Sequence, residues 1–151
     1  MALKSDRIEL LTDVSFFMTT TAERGGVVSA VTSGSGVSMD DANAVVAYAT
    51  LASGSKPVGV LLNDVVDLDL TRQHINFHKD EVQKGGKVTV LRIGQVTTDQ
   101  LVPGISPTVG APAYVGGTGL IGTSSTNAVQ IGSFLSSKDS DGYAKVSVNI
   151  E

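Results

Sequence analysis

Pro57-Val-Gly59-Val-Leu-Leu62, preceded by Ala44-Val-Val-Ala-Tyr48 and followed by Gly85-Gly86-Lys87-Val-Thr-Val90, is echoed later in the same chain. The second version runs Ala111-Pro-Ala-Tyr114-Val, then Gln130-Ile-Gly132-Ser-Phe-Leu135, then Gly142-Tyr-Ala-Lys145-Val-Ser-Val148. Each piece reads as a short β-strand. Each set carries a glycine where a strand bends or another backbone approaches closely. The echo is either a duplication or two similar strand sets that close one barrel.

Outward from these modules the pattern stays that of strands. Val27–Thr32 is a strand, and Ser33-Gly-Ser-Gly36 a turn. Ser38–Ala49 reads as a turn at Asp40-Asp41 and then a strand. Val65–Phe77 gives one or two strands, with Leu68 and Leu70 on one face. In Lys87–Gly94, Val88, Val90 and Arg92 alternate with Thr89, Leu91 and Ile93, so apolar residues lie on both faces and both are expected to be covered. Thr97-Thr98-Asp99 is expected to be a turn. Pro103, Pro107 and Pro112 punctuate a loop-rich connection. In the last strand, Val146, Val148 and Ile150 share one face. No segment keeps helical periodicity over three turns. The fold class is therefore all-β, a small barrel or folded-over sheet.

The first residues differ in character. Charged residues Lys4, Asp6, Arg7 and Glu9 precede Leu10-Leu11 and Phe16-Phe17-Met18. Ile8, Leu10, Thr12, Val14 and Phe16 share one parity of an extended strand. A helix over Ser5–Leu11 is the weaker reading, because Thr19-Thr20-Thr21 offers no continuation. Gly25-Gly26 is a natural hinge. Residues 1–24 are thus expected to form an N-terminal arm, and 25–151 a β-rich body. Phe16-Phe17-Met18 is either the first core strand or a patch that packs on a partner's sheet edge.

Composition narrows the function classes. The chain has 151 residues, 41% of them apolar, enough for one domain with a real core. Its formal charge of −4, without basic runs, argues against a nucleic-acid partner. Its apolar runs fall far short of a membrane span, and no signal peptide is legible. With no cysteine there are neither disulfides nor thiolate metal sites.

Several chemical motifs are matched only in letter. Gly117-Thr-Gly119-Leu-Ile-Gly122 fits G-x-G-x-x-G, yet Thr123-Ser-Ser-Thr-Asn127 is a poor helix start for holding a pyrophosphate. His74 and His78 have the spacing of a zinc-protease helix, but Ile75 stands where the Glu belongs. Asp40-Asp41 and Asp139/Asp141 sit in turn contexts, where their side chains satisfy backbone groups. Asp139-Ser-Asp141-Gly142 lacks the remaining ligands of a calcium loop. No Gly-x-Ser-x-Gly elbow and no convergent acid, base and nucleophile set occur. The reading is a non-enzyme with no catalytic residues, cofactor or metal.

The ordered set Pro57–Val65, Gly85–Val90, Ala113-Tyr-Val115, Ile131–Leu135 and Asp141–Val148 resembles the head-decoration (capsid cement) proteins of tailed bacteriophages, over about residues 25–151. The resemblance implies a β-tulip-like domain with an extended N-terminal arm. It also implies a homotrimer at three-fold or pseudo-three-fold positions on the outer capsid surface. Such a protein is made in the host cytoplasm and binds the major capsid protein of an expanded shell, stabilising the virion. Leu3–Thr21 matches the capsid-binding arm in position and character. Leu3, Ile8, Leu10, Val14, Phe16, Phe17 and Met18 are the expected contacts. The rival reading is a receptor- or glycan-binding β-module of a phage fiber or adhesin. The absence of Trp and the presence of only three Tyr count against its aromatic platform.

Overall fold

The computed structural model describes residues 3–4, 6–32, 44–50, 54–66 and 81–150. Eleven strands and no helix are found among them, so the all-β expectation holds. In chain order they are β1 Ile8–Met18, β2 Val27–Val31, β3 Val45–Tyr48, β4 Pro57–Leu61, β5 Asp64–Val66, β6 Glu81–Gln83 and β7 Lys87–Thr98. There follow β8 Pro112–Gly117, β9 Leu120–Gly122, β10 Gln130–Phe134 and β11 Ala144–Asn149. Strands β5 and β6 form a parallel pair of their own.

The remaining nine strands make one sheet in the order β1-β3-β2-β4-β7-β11-β10-β8-β9. Strand β1 also pairs with β7, which closes β1, β3, β2, β4 and β7 into a ring. The long β7 makes this possible. One of its edges takes β1; the other takes β4 at Val90 and Leu91, then β11 from Ile93 to Thr98. The second half closes as well. Ile121 of β9 donates to the Gln100 carbonyl and accepts from the Val102 amide, both at 2.9 Å, so β9 meets the chain just beyond β7. Among the described residues, the nine-stranded sheet closes into two hydrogen-bonded rings that share β7. Ring closure leaves fewer edges to protect than an open sheet of the same size.

Alternation along β2, β4 and β7 feeds two cores. Val28, Leu61, Val88 and Val90 join Met18 and Val46 in a cluster that draws on every strand of the first ring. Their chain neighbours Val27, Val60 and Leu91 point the other way, into the larger cluster with Phe134, Ile131, Val146 and Val148. The two-faced burial expected of Lys87–Gly94 is therefore what β7 has.

The repeated glycines have the same local role in both modules. A Cβ on Gly59 would run into the Leu91 carbonyl of β7, and one on Gly132 into the Ser147 carbonyl of β11. Close approach of two backbones leaves no side chain to yield. Gly132→Ala should cost about 3 kcal/mol and lower the melting temperature by roughly 6–12 °C. Gly54→Ala, where nothing lies within 4 Å of the added carbon, is the control and should melt like the native chain. Equal melting of the two variants would refute the close-approach account.

The Ala-Tyr elements are not equivalent. Strand β8 lies directly beside β10, whereas β2 intervenes between β3 and β4. The echo is real in the last two strands of each module and lapses in the first.

One expectation is corrected. Thr97 and Thr98 end a strand rather than form a turn, because both are buried and pair with Lys145 and Ala144 of β11. The Thr98 hydroxyl donates to the Gly25 carbonyl at 3.2 Å, replacing water for a buried polar group. Ile8–Met18, read from sequence as an arm ahead of a hinge, is hydrogen-bonded along β7 in the same sheet as the body. Leu11 departs from the single parity expected of it, beside pairing with β7 that is irregular between Glu9 and Leu11, Leu11 and Thr12, and Asp13 and Phe16. Each such bulge resets which side chains face outward.

Candidate functional site

Among the described residues, strand β1 carries most of the exposed large apolar side chains. Of the six large hydrophobic residues exposed among the described residues, four are on it: Ile8, Leu10, Leu11 and Val14. Leu10 is 74% exposed and Val14 59%, and both lie within irregular stretches of the pairing. Ile8, Leu10 and Val14 share one parity, and beside the irregular pairing Leu11, of the opposite parity, is exposed with them. A concave site of about 160 Å³ lies beside them, bordered by Ile8, Leu10, Ile93, Gln95 and Val148.

Among the described residues, one edge of the backbone beside this stripe is open. Strand β7 covers one edge of β1, and β3 covers the other only at Phe17 and Met18. From Ile8 to Phe16 the second edge has no strand partner among the described residues. An unpaired edge offers N–H and C=O groups to another extended chain.

Several charges near the stripe are matched. Asp13 accepts from the Ser15 hydroxyl and amide and faces Arg92 Nη1 at 3.8 Å. These contacts, the Ser15 hydroxyl first, hold its carboxyl below the ordinary value of 3.8. Arg7 pairs with Glu9, and the Lys87 ammonium lies 5.6 Å from the centre of the Phe17 ring. With these charges paired, apolar contact dominates what the strand offers a partner.

The expected contact residues divide into three groups. Ile8, Leu10 and Val14 face solvent together; Phe16 and Phe17 are half-buried; Leu3 and Met18 are buried in the larger and smaller cores respectively. Leu11, 46% exposed, belongs to the stripe and escaped sequence reading because it has the opposite parity. No sequence signal marks the bulge that turns it outward.

The other motifs resolve as structure. Gly117 to Gly119 form the tight turn between β8 and β9, where both glycines and Thr118 have positive φ. Strand β9 follows where a dinucleotide site needs a helix. A Cβ on Gly119 would enter the Tyr48 ring, and Gly119 bonds to Ala49 and Val27 through its N–H and C=O. The turn therefore docks the second ring onto the first. Tyr48 is fixed there, its hydroxyl donating to the Glu23 carbonyl at 2.9 Å and accepting from the Glu23 amide at 2.7 Å. Burial pushes its phenol pKa up.

Asp139 Oδ1 accepts from the amides of Asp141 and Tyr143, as its turn context predicts. Among the described residues no acidic, histidine or cysteine cluster could hold a metal. Asp40, Asp41, His74 and His78 lie outside the described residues. A second concavity of about 280 Å³ has Val102, Ile105 and Val115 at its apolar wall and Thr123, Thr126 and Asn127 on its polar side. None of its lining residues is an acid or base.

A family model described as XM1 gp53 minor capsid protein matches residues 10–150, nearly the whole chain, from within β1 to the residue after β11. No curated protein matches the sequence.

Proposed function

The chain belongs to that minor capsid protein family, a structural component of the phage virion, and from this premise we propose that it is a decoration protein. In this reading it binds the outer surface of the expanded capsid and stabilises the shell. The observation that carries it is the aliphatic stripe of β1 beside a strand edge that has no strand partner among the described residues. A strand of the major capsid protein adds to that edge, and main-chain hydrogen bonds supply the attachment. Ile8, Leu10, Leu11 and Val14 then enter apolar pockets. Each large side chain so buried contributes about 1.5–3 kcal/mol before ordering costs.

Residues 1–24 remain the capsid-binding segment in this proposal, folded onto the body of residues 25–151. Phe16 and Phe17 flank the contact, while Leu3 and Met18 support it from within the cores. A homotrimer at three-fold or pseudo-three-fold positions matches the local symmetry of the shell and multiplies three modest contacts into high avidity.

The test is to add the purified protein to expanded, undecorated capsids and image them. Density on the outer surface at three-fold or pseudo-three-fold positions is expected. Capsids that stay bare, or density on the inner face, would end the decoration reading. Light scattering on the free protein decides whether the trimer precedes binding.

A further inference from the structure

We propose that Leu3 and Lys4 are positioning residues for the β1 surface, forming with Asp139 and Tyr143 a latch that holds the strand's N-terminal end along β7. The proposal rests on the attachment reading for its consequence, but the latch itself stands on geometry.

Leu3 is 1% exposed, sits in the larger core and bridges Thr98 at the far end of β7. The Lys4 amide donates to the Thr97 carbonyl at 2.9 Å. The Lys4 side chain then crosses to the turn between β10 and β11. Its Nζ lies 3.6 Å from Asp139 Oδ2 and 4.6 Å from the centre of the Tyr143 ring. The two oxygens of Asp139 divide the work. Oδ1 takes the amides of Asp141 and Tyr143, which fixes the carboxylate, and Oδ2 faces the ammonium.

Strand β1 is therefore fastened at both ends, by Leu3–Lys4 before it and by Met18 at its close. Between them the pairing with β7 has three irregularities and the exposed stripe. An irregularly paired strand released at one end frays. A partner would then have to supply the cost of ordering it, and affinity would fall. The latch thus sets binding strength without touching the partner.

The test uses the full chain and the variants Lys4→Gln and Lys4→Arg. Lys4→Gln should raise hydrogen exchange at the amides of Ile8–Val14 about five- to tenfold, with β10 and β11 unchanged. It should weaken binding to undecorated capsids by a similar factor, and Lys4→Arg should restore both. Unchanged exchange in Ile8–Val14, or an equal rise in β10 and β11, overturns the latch. Faster exchange with undiminished capsid affinity overturns its positioning role. Native protein that fails to bind capsids refutes the attachment reading alone, because the exchange measurement still decides the latch.

Discussion

A chain lacking residues 1–18 should lose its cooperative thermal transition. The deletion takes away the strand that closes the first ring and leaves one edge of β7 bare from Lys87 to Gln95. It also removes Met18 from the smaller core and Leu3 from the larger, both essentially inaccessible to solvent. Two such side chains account for about 3–6 kcal/mol of apolar burial. The lost ladder adds about 0.5–1.5 kcal/mol per hydrogen bond. Against a typical stability of about 5–15 kcal/mol, that loss is most or all of it. Circular dichroism during heating is the measurement. A sharp transition within a few degrees of the native one would instead show that the segment is a separable arm.

The double variant Leu10→Asp/Val14→Asp should fold normally and fail to decorate capsids. Both residues are mostly exposed, so the free protein should change by about 0.5 kcal/mol or less per site. In the proposed complex the same positions are buried. Losing two apolar contacts removes about 3–6 kcal/mol, roughly two to four orders of magnitude in affinity. Two carboxylates carried into the interface weaken it further. The readout is occupancy on undecorated capsids beside the melting curve of the free protein. Native-like occupancy with an intact fold would move the attachment site away from β1.

The elements legible in sequence are those with local signatures. Strands β2, β4, β7, β10 and β11 announce themselves through aliphatic alternation and flanking glycines, and Gly59 and Gly132 mark close backbone approach. Gly117–Gly122 could be set aside as a nucleotide loop because the residues after it are poor helix formers. What escaped was nonlocal. The bulges that turn Leu11 outward depend on how β1 meets β7, some eighty residues away. Thr97 and Thr98 look like turn residues until β11 pairs with them. Lys4 reads as one charge in a polar start until the fold brings Asp139 and Tyr143 beneath it. Ring closure is likewise invisible to any window of sequence, since it is a property of which edges β7 offers.

The pairing of β1 with β7 also bears on how the chain is made. Ile8 leaves the ribosome about 80 residues ahead of the strand it must join. At about 5–20 residues per second, that is a wait of roughly 4–16 seconds. During it the aliphatic stretch Ile8–Val14 waits for its partner β7 and is open to pairing with another nascent copy. Arg7, Glu9 and Asp13 fall within or beside that strand, where interspersed charge discourages such pairing. The same residues that form ion pairs in the finished protein, Arg7 with Glu9 and Asp13 with Arg92, would thus act earlier, as guards on an unfinished one.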